Sequence, residues 1–424
     1  MKRVFVYPCG TEIGLEIYRS LCFSKQYELI GGSSTYDHGR FVYGNHVDHL
    51  PFITDESSGE EIAEFNAVLK RENIDILYPA MDGVLTVCSK YRDRISPVVI
   101  APDIYTAELT RSKSKTYELL GVAVPVPNRY RLKSEIDRFP VFVKPDKGQG
   151  AVGARKIHSF GELAAIDFEK EICLEFLPGK EYTIDCFTNQ DGRLIYAKSR
   201  GRKRIKSGIS VNTIFEGGAY FRRIADEINN RLHQRGGWFF QMKEDRNGEL
   251  KLLEVASRIA GTSAISRNIG VNLPLMTVDL FNGIPINDIS PNTYRIELDR
   301  ALKNEYRIQL SYSRVYMDYD DTIVIKGKVN TAVMQFIFQC RNKGKQVILV
   351  SKHEGNLREE LERYKILQVF DKIYHLRSEE AKSDYMDPGD AIFVDDSYGE
   401  RKMVRERLGI PVFDTHMLEC LIEG

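Results

Sequence analysis

Phe142-Val143-Lys144-Pro145 runs directly into Asp146-Lys147-Gly148-Gln149-Gly150-Ala151-Val152-Gly153, and this stretch decides how the first two thirds of the chain are read. An apolar β-type run delivers a lysine at its end. The glycines that follow let backbone N–H groups close on phosphate oxygens while the ammonium supplies a point charge. Taken alone, the G-x-G-x-x-G spacing also fits a plain hairpin turn. Two stretches downstream sharpen it. Glu175-Phe176-Leu177-Pro178-Gly179-Lys180-Glu181-Tyr182-Thr183-Ile184-Asp185 joins two extended runs through a turn. Gln241 and then Leu252-Leu253-Glu254-Val255-Ala256-Ser257-Arg258 place an acid at the end of an apolar strand with an arginine close behind. That pairing suits a metal that holds phosphates and a cation that holds the transferred group.

Upstream, strand and helix patterns alternate. Arg3 to Val6 is a β-type run, Gly10 and Gly14 mark a turn, and Leu15 to Leu21 has helical patterning. A run at Tyr27 to Ile30, a helix over about Gly59 to Glu72, and strands at Asp75 to Tyr78 and Val98 to Ala101 continue a parallel α/β order. Gly10 and Gly14 lack a dinucleotide spacing and read as a tight turn into a helix. Asp82 follows a strand, where such sheets place ligand-facing loops, and is a candidate substrate contact. From Glu108 a helix carries Lys113 and ends at Gly121. Between Pro285 and Ser313 apolar periodicity is lost, which predicts a linker before a fresh strand at Ser313 to Met317.

At 424 residues the chain predicts two or three folding units. Its 42% hydrophobic and 28% charged residues are those of a soluble globular protein. Sixty basic residues balance sixty acidic ones, which argues against nucleic acid or an anionic membrane surface as a partner. Seven cysteines form no metal-ligand spacing, and their odd count points to a reducing cytoplasm. No apolar stretch approaches the ~20 residues that span a bilayer. His46 and His49, which flank Asp48, have no other ligand types near them in the sequence and read as loop polarity.

The ordered set from Lys113 to Arg258 resembles the ATP-grasp superfamily, in particular its carbamoyl-phosphate-synthetase-like and biotin-carboxylase-like branch, over roughly residues 1 to 290. The resemblance implies ATP and Mg2+ as cofactors. It implies that Lys113 and Lys144 reach phosphates, that Gly148, Gly150 and Gly153 belong to a lid, and that Glu175 with the Phe176 and Leu177 backbone reads the adenine edge. Glu181 matches the ribose position, Glu254 the main magnesium ligand, Gln241 a second one, and Arg258 the arginine that steadies an acyl-phosphate. Arg200, Arg202 and Arg204 with Gly208 resemble the basic residues that face the carboxylate and the γ-phosphate. One departure stands out. The family often has Asn two residues after the metal glutamate, and Ala256 stands there, with Asp245 a candidate to compensate.

Beyond the linker, Val315-Tyr316-Met317-Asp318-Tyr319-Asp320-Asp321-Thr322 ends an apolar strand in two acids spaced i, i+2, which a strand end can aim at one phosphate. Val347 to Ser351 ends a second strand in a hydroxyl, and Ala391 to Val394 ends a third in Asp395-Asp396, with Lys382 opening a helix ahead of it. This order resembles the haloacid dehalogenase superfamily. It implies Asp318 as nucleophile, Asp320 as acid and base, and Ser351 and Lys382 as phosphate holders, with Lys372 a less favoured alternative lysine. Asp318 and Asp395 would bind magnesium, assisted by Asp320 and Asp396. Motif gaps leave no room for a full cap domain. His353 is a candidate substrate contact.

The expected architecture is α/β and α+β. Residues 1–108 form a doubly wound pre-ATP-grasp domain, 109–290 an ATP-grasp domain, 291–312 a linker, and 313–424 a capless, Rossmann-like haloacid dehalogenase domain. The expected activity is an ATP-dependent carboxylate–amine (or similar nucleophile) ligase fused to a phosphatase, acting on small-molecule carboxylate and phosphorylated substrates. The expected location is the cytoplasm, a homo-oligomer being compatible. The alternative is a nucleotide-binding regulatory module with lapsed ligase chemistry beside an active phosphatase.

Overall fold

The computed structural model describes residues 1–423 apart from Gln149, Ala151, Ser207, Asn304, Glu305 and Arg307, and apart from the side chains of Ala164 and Ala165. Gln149 and Ala151 of the glycine loop therefore lie outside the described residues. The chain divides into two compact units, Met1–Leu302 and Lys303–Gly424.

The first unit opens with β1 (Lys2–Tyr7), α1 (Glu12–Leu21), β2 (Tyr27–Gly32), α2 (Gly39–Val42), β3 (Asn45–Val47), α3 (Gly59–Arg71), β4 (Ile76–Pro79), α4 (Asp82–Lys90) and β5 (Val98–Val99). The strands form a parallel sheet in the order β3-β2-β1-β4-β5. Helices on both faces force the strands to read as apolar runs, and Val4, Phe5, Val6 and Tyr7 are all fully buried. Gly14 sits so close to the Cys9 carbonyl that a Cβ there would lie 2.4 Å from its oxygen, which is why the turn into α1 requires a glycine.

Next come α5 (Ile104–Arg111) and α6 (Lys113–Leu120), which the sequence reads as one helix. They are separate because Ser112 is extended and caps α6, accepting a hydrogen bond from the Lys115 N–H. The break places Lys113 on the first residue of α6. A four-stranded antiparallel sheet follows, made of β6 (Arg129–Tyr130), β7 (Val141–Pro145), β8 (Arg155–Ile157) and β9 (Glu171–Glu175) in the order β6-β9-β7-β8.

A six-stranded antiparallel sheet completes the unit. Its strands are β10 (Glu181–Thr188), β11 (Leu194–Lys206), β12 (Ile209–Phe215), β13 (Gly236–Glu244), β14 (Leu250–Ala256) and β15 (Glu297–Asp299), ordered β14-β13-β10-β11-β12-β15. Helices α7 (Ala219–Asn229), α8 (Ala264–Arg267) and α9 (Leu273–Phe281) lie along its path. One apolar cluster joins Val4, Val6, Ile17 and Tyr78 of the first sheet region to Phe187, Ile259 and Val278. This shared core makes residues 1–302 one compact unit.

The linker expected at 291–312 is corrected by β15, whose Leu298 pairs with Thr213. Glu297 and Asp299 are exposed, so this edge strand is defined by backbone pairing and carries no apolar signature. Arg300 also donates to Glu12 at 2.6 Å, and the division falls after Leu302.

The second unit contains β16 (Arg314–Met317), a small hairpin of β17 (Val324–Ile325) and β18 (Lys328–Val329), α10 (Thr331–Asn342), β19 (Gln346–Ser351), α11 (Leu357–Arg363), β20 (Lys372–His375), β21 (Ala391–Val394), α12 (Tyr398–Leu408) and β22 (Val412–Phe413). Its parallel sheet runs β20-β19-β16-β21-β22, with fully buried Val315, Met317, Val347, Leu349, Ile392 and Val394 in its core.

Candidate functional site

In the first unit, Lys113, Lys144, Gly148, Gly150, Glu175, Phe176, Leu177, Glu181, Gln241 and Glu254 line one cavity. The Lys144 Nζ leaves the end of β7 and donates to the Tyr117 hydroxyl and the Leu253 carbonyl, both at 3.1 Å. Burial lowers its pKa to about 8, against the opposing pull of Glu254, Glu181 and Asp146. Lys113 is also lowered, by burial and then by the facing Lys144 charge, and donates to the carbonyls of Asp146 and Gly148. Two ammonium groups thus face one space, each held by neutral oxygens. Asp146 locks this corner, accepting from the Ser112 hydroxyl at 2.6 Å and the Ser114 N–H at 2.7 Å.

Gln241 and Glu254 are cross-strand partners on β13 and β14, so their side chains share a face of the six-stranded sheet. Glu181 accepts hydrogen bonds from Arg202 and, at 3.2 Å, from Lys243. Arg202 also donates to Gln241 at 3.0 Å. The apolar walls come from Phe142, Leu174, Phe176, Leu177 and Leu253. Glu175 spends its carboxylate on the Asn128 N–H at 2.9 Å. Gly153 is absent from the lining. A Cβ there would lie 3.0 Å from the Pro145 ring, and Val152 and Ala154 line the cavity instead.

A second compartment is lined by Thr11, Met81, Arg200, Arg258 and Gly261, and it shares Gly150, Arg202, Gly208, Gln241 and Glu254 with the first. Arg258 makes a bidentate pair with Asp82 at 2.7 and 2.6 Å and lies over the Phe239 ring. Asp82, a candidate substrate contact from its position, instead orients this arginine. The three arginines of β11 have different partners. Arg200 is fully buried against Asp185 at 2.8 Å, Arg202 enters the cavity, and Arg204 pairs with exposed Asp299 at 2.7 Å. Arg200 and Arg202 keep the regular two-residue alternation and both line the second compartment, while register shifts on either side of Arg204 turn that residue away.

Asp245 does not compensate for Ala256. Its carboxylate accepts the N–H groups of Asn247 and Glu249 in the β13–β14 turn and pairs with Lys251, outside both compartments. Ala256 packs with Phe239 and Ala260. Tyr117, Lys243 and the Ser112–Asp146 clamp went unnoticed in the sequence, since a tyrosine or serine in a helical stretch carries no signal of what it will face.

In the second unit, Asp318, Ser351 and Asp395 all lie at the carboxyl ends of adjacent parallel strands, the edge at which such sheets hold ligands. Lys382 is buried and its Nζ donates to Asp318 at 2.6 Å and Asp395 at 2.7 Å. Burial raises the pKa values of both carboxyls, and Lys382 opposes the rise. Asp318, Asp395 and Asp396 offer oxygens within 4.8 Å of one another. Asp320 is more exposed and meets His353 Nδ1 at 2.9 Å, while the Ser351 hydroxyl accepts the His353 N–H. Lys372 is ruled out of this cluster. It opens β20 at the opposite end from His375, which is the residue level with Ser351.

The expectation that His46 has no other ligand types around it is also overturned. Folding brings Cys9 and Asp37 to within 4.8 Å of it.

Residues 167–302 match the family model described as "ATP-grasp in the biosynthetic pathway with Ter operon". No curated protein matches the sequence. Among solved structures, the chain is similar to a biotin carboxylase–β,γ-ATP complex from Campylobacter jejuni, with TM-score 0.54, 16% identity, and 68% of this chain and 72% of that one covered. It is similar to N5-carboxyaminoimidazole synthetase from Staphylococcus aureus complexed with ADP, with TM-score 0.54, 13% identity, and coverage of 68% and 79%. It also resembles an L-amino acid ligase from Bacillus licheniformis, with TM-score 0.52, 18% identity, and coverage of 69% and 78%. The chain therefore contains an ATP-grasp-like α/β fold. No described helix is long and apolar enough to cross a membrane.

Proposed function

We propose that residues 1–302 form an ATP-dependent ligase that joins a small-molecule carboxylate to an amine or similar nucleophile through an acyl-phosphate. One observation carries this reading. The compartment that holds Lys113 and Lys144 and the compartment that holds Arg258 meet at Glu254, Gln241 and Arg202. A triphosphate in the first compartment would place its terminal phosphate beside an acceptor in the second. Glu254 and Gln241 supply oxygen donors suited to Mg2+, which would neutralise phosphate charge there. The apolar walls with Phe176 and Leu177 suit a base, and Glu181 stands where a ribose would be met. Lys113, Lys144 and Arg202 hold the phosphates, and Arg258, oriented by Asp82, steadies the carboxylate as it attacks the γ-phosphate. The nucleophile then displaces phosphate. Relatives of the same fold carry ADP or MgADP in their solved structures. ADP release measured against a panel of carboxylates and amines tests the reading. Glu254→Ala should lower it by roughly 10²–10³-fold, the scale of lost transition-state electrostatics, and equal ADP from both proteins rejects it.

For residues 313–424 we propose a magnesium-dependent phosphatase. Asp318 would attack phosphorus to form an aspartyl-phosphate, and Asp320 would protonate the leaving oxygen and then activate water. Ser351 and Lys382 would hold phosphate oxygens, and Asp318, Asp395 and Asp396 offer the oxygens for the cation. The convergence of the carboxylates and Lys382 at one sheet edge supports this. The two activities would then serve one small-molecule biosynthetic sequence.

Ala256 favours a second reading. An apolar residue packed where an oxygen ligand often stands fits a nucleotide-binding module whose ligase chemistry has lapsed. Tight ATP binding by calorimetry without substrate-dependent turnover across the same panel would select it.

A further inference from the structure

The parallel sheet of the first unit carries polar chemistry at its carboxyl edge that neither proposed reaction uses. Cys9 follows β1, Asp37 follows β2 and His46 lies on β3, and these three strands are neighbours. Cys9 is fully buried, and the His46 side chain is 7% exposed. Their ligand atoms and an Asp37 oxygen lie within 4.8 Å of one another. A point between them is at most about 2.8 Å from each, so a small contraction reaches the ~2.3 Å Zn–S and ~2.0–2.2 Å Zn–N and Zn–O distances.

The Ser33 hydroxyl stands 3.2 Å from Cys9 Sγ, 2.9 Å from Asp37 Oδ2 and 3.2 Å from His46 Nε2, so all three candidate ligands converge on one small space. On the other side of the ring, Asp48 lies 3.4 Å from Nδ1.

We propose that Cys9, Asp37 and His46 bind a borderline-soft divalent cation of the Zn2+ class. Thiolate, imidazole and carboxylate together favour Zn2+ over Mg2+ or Ca2+. The supporting contacts are those such a site requires. Asp48 stands 3.4 Å from the other ring nitrogen, in position to serve as the carboxylate of a carboxylate–histidine–metal relay, and the second Asp37 oxygen accepts the Gly39 N–H at 2.9 Å. Glycines leave the space, since a Cβ on Gly39 would lie 2.3 Å from Cys9 Sγ and one on Gly10 would lie 2.2 Å from Asp37 Cγ. Three protein ligands leave a fourth position open, beside the Ser33 hydroxyl. The site stands independently of the ligase reading.

Full-length protein stripped with a chelator and titrated with Co2+, in the presence of excess Mg2+ to fill oxygen-ligand sites, reads it directly. The expected result is about one tightly bound Co2+ with a thiolate-to-cobalt charge-transfer band that Zn2+ bleaches. Cys9→Ser and His46→Ala should abolish the band. Asp48→Asn lies outside the proposed ligand set and in a less buried position, so it should keep the fold by circular dichroism and the band, while affinity falls about 10–100-fold. Absence of the band in the wild type, its persistence in Cys9→Ser, or unchanged affinity in Asp48→Asn would overturn the assignment.

Discussion

The two regions proposed to act on phosphate carry opposite balances of charge on opposite kinds of sheet. In the first unit, Lys113 and Lys144 face one cavity, hydrogen-bonded among the described residues to carbonyl and hydroxyl oxygens, with Glu254 on the neighbouring sheet. In the second, carboxylates outnumber the single lysine, which is already spent between Asp318 and Asp395. Under the proposed function, the first region would receive an anion that brings its own metal. The second, under its proposed function, would need a cation before it could receive one. A helix start and strands of two antiparallel sheets present the first set, from residues spread over a long stretch of chain. Parallel strands present the second at one edge, from the residues that end adjacent strands.

The contrast breaks most sharply at Asp318. Asp318→Asn should lower phosphatase turnover on a small phosphomonoester such as p-nitrophenyl phosphate by as much as roughly 10⁶-fold, the scale for loss of a covalent nucleophile. ADP release by the ligase should be unchanged. A variant that retains turnover would remove Asp318 from its proposed role.

A smaller effect is expected at Lys144. Lys144→Met keeps the side chain's length and removes its charge, so MgATP affinity by calorimetry should weaken roughly 10–100-fold, the cost of a lost charge-assisted hydrogen bond. Phosphatase turnover should not move. Equal affinity would mean that the phosphates lie elsewhere.

The least of the three effects sharpens the comparison in the absence of nucleotide. Burial depresses the Lys144 pKa from 10.5 to about 8, so the folded protein gives up this proton before the unfolded chain does. Between about pH 8 and 10.5 the unfolded state binds more protons at this site, and its contribution to stability rises with pH. Lys144→Met should therefore be more stable than wild type near pH 7 by thermal melting, with the gap narrowing toward pH 10. A gap that stays constant would show that Lys144 is not held in a desolvated place.

Much of this was legible in the residues. Short apolar runs that end in Lys144, Glu254, Asp318, Ser351 or Asp395 announce both a strand and a charged or polar group at its end, because side-chain period and strand length are local properties. The order of these runs along the chain carried the ATP-grasp likeness, and the structure brings Lys144 and Glu254 into one cavity. The helix break at Ser112 was less visible, since a serine inside a helical pattern is decided by what accepts its hydroxyl, here Asp146.

What the sequence determined by itself, then, was the alternation of elements and the kind of chemistry at their ends. Only the tertiary structure decided which distant groups share a space. It joined Asp82 to Arg258 across 176 residues, turned Arg204 away from Arg200 and Arg202 through shifts in strand register, added β15 to a sheet by backbone pairing and the side-chain bonds of Asp299, and gathered Cys9, Asp37 and His46 at one edge. Side-chain convergence depends on sheet order and register. These follow from the packing of whole elements against one another, and no short window of residues contains them.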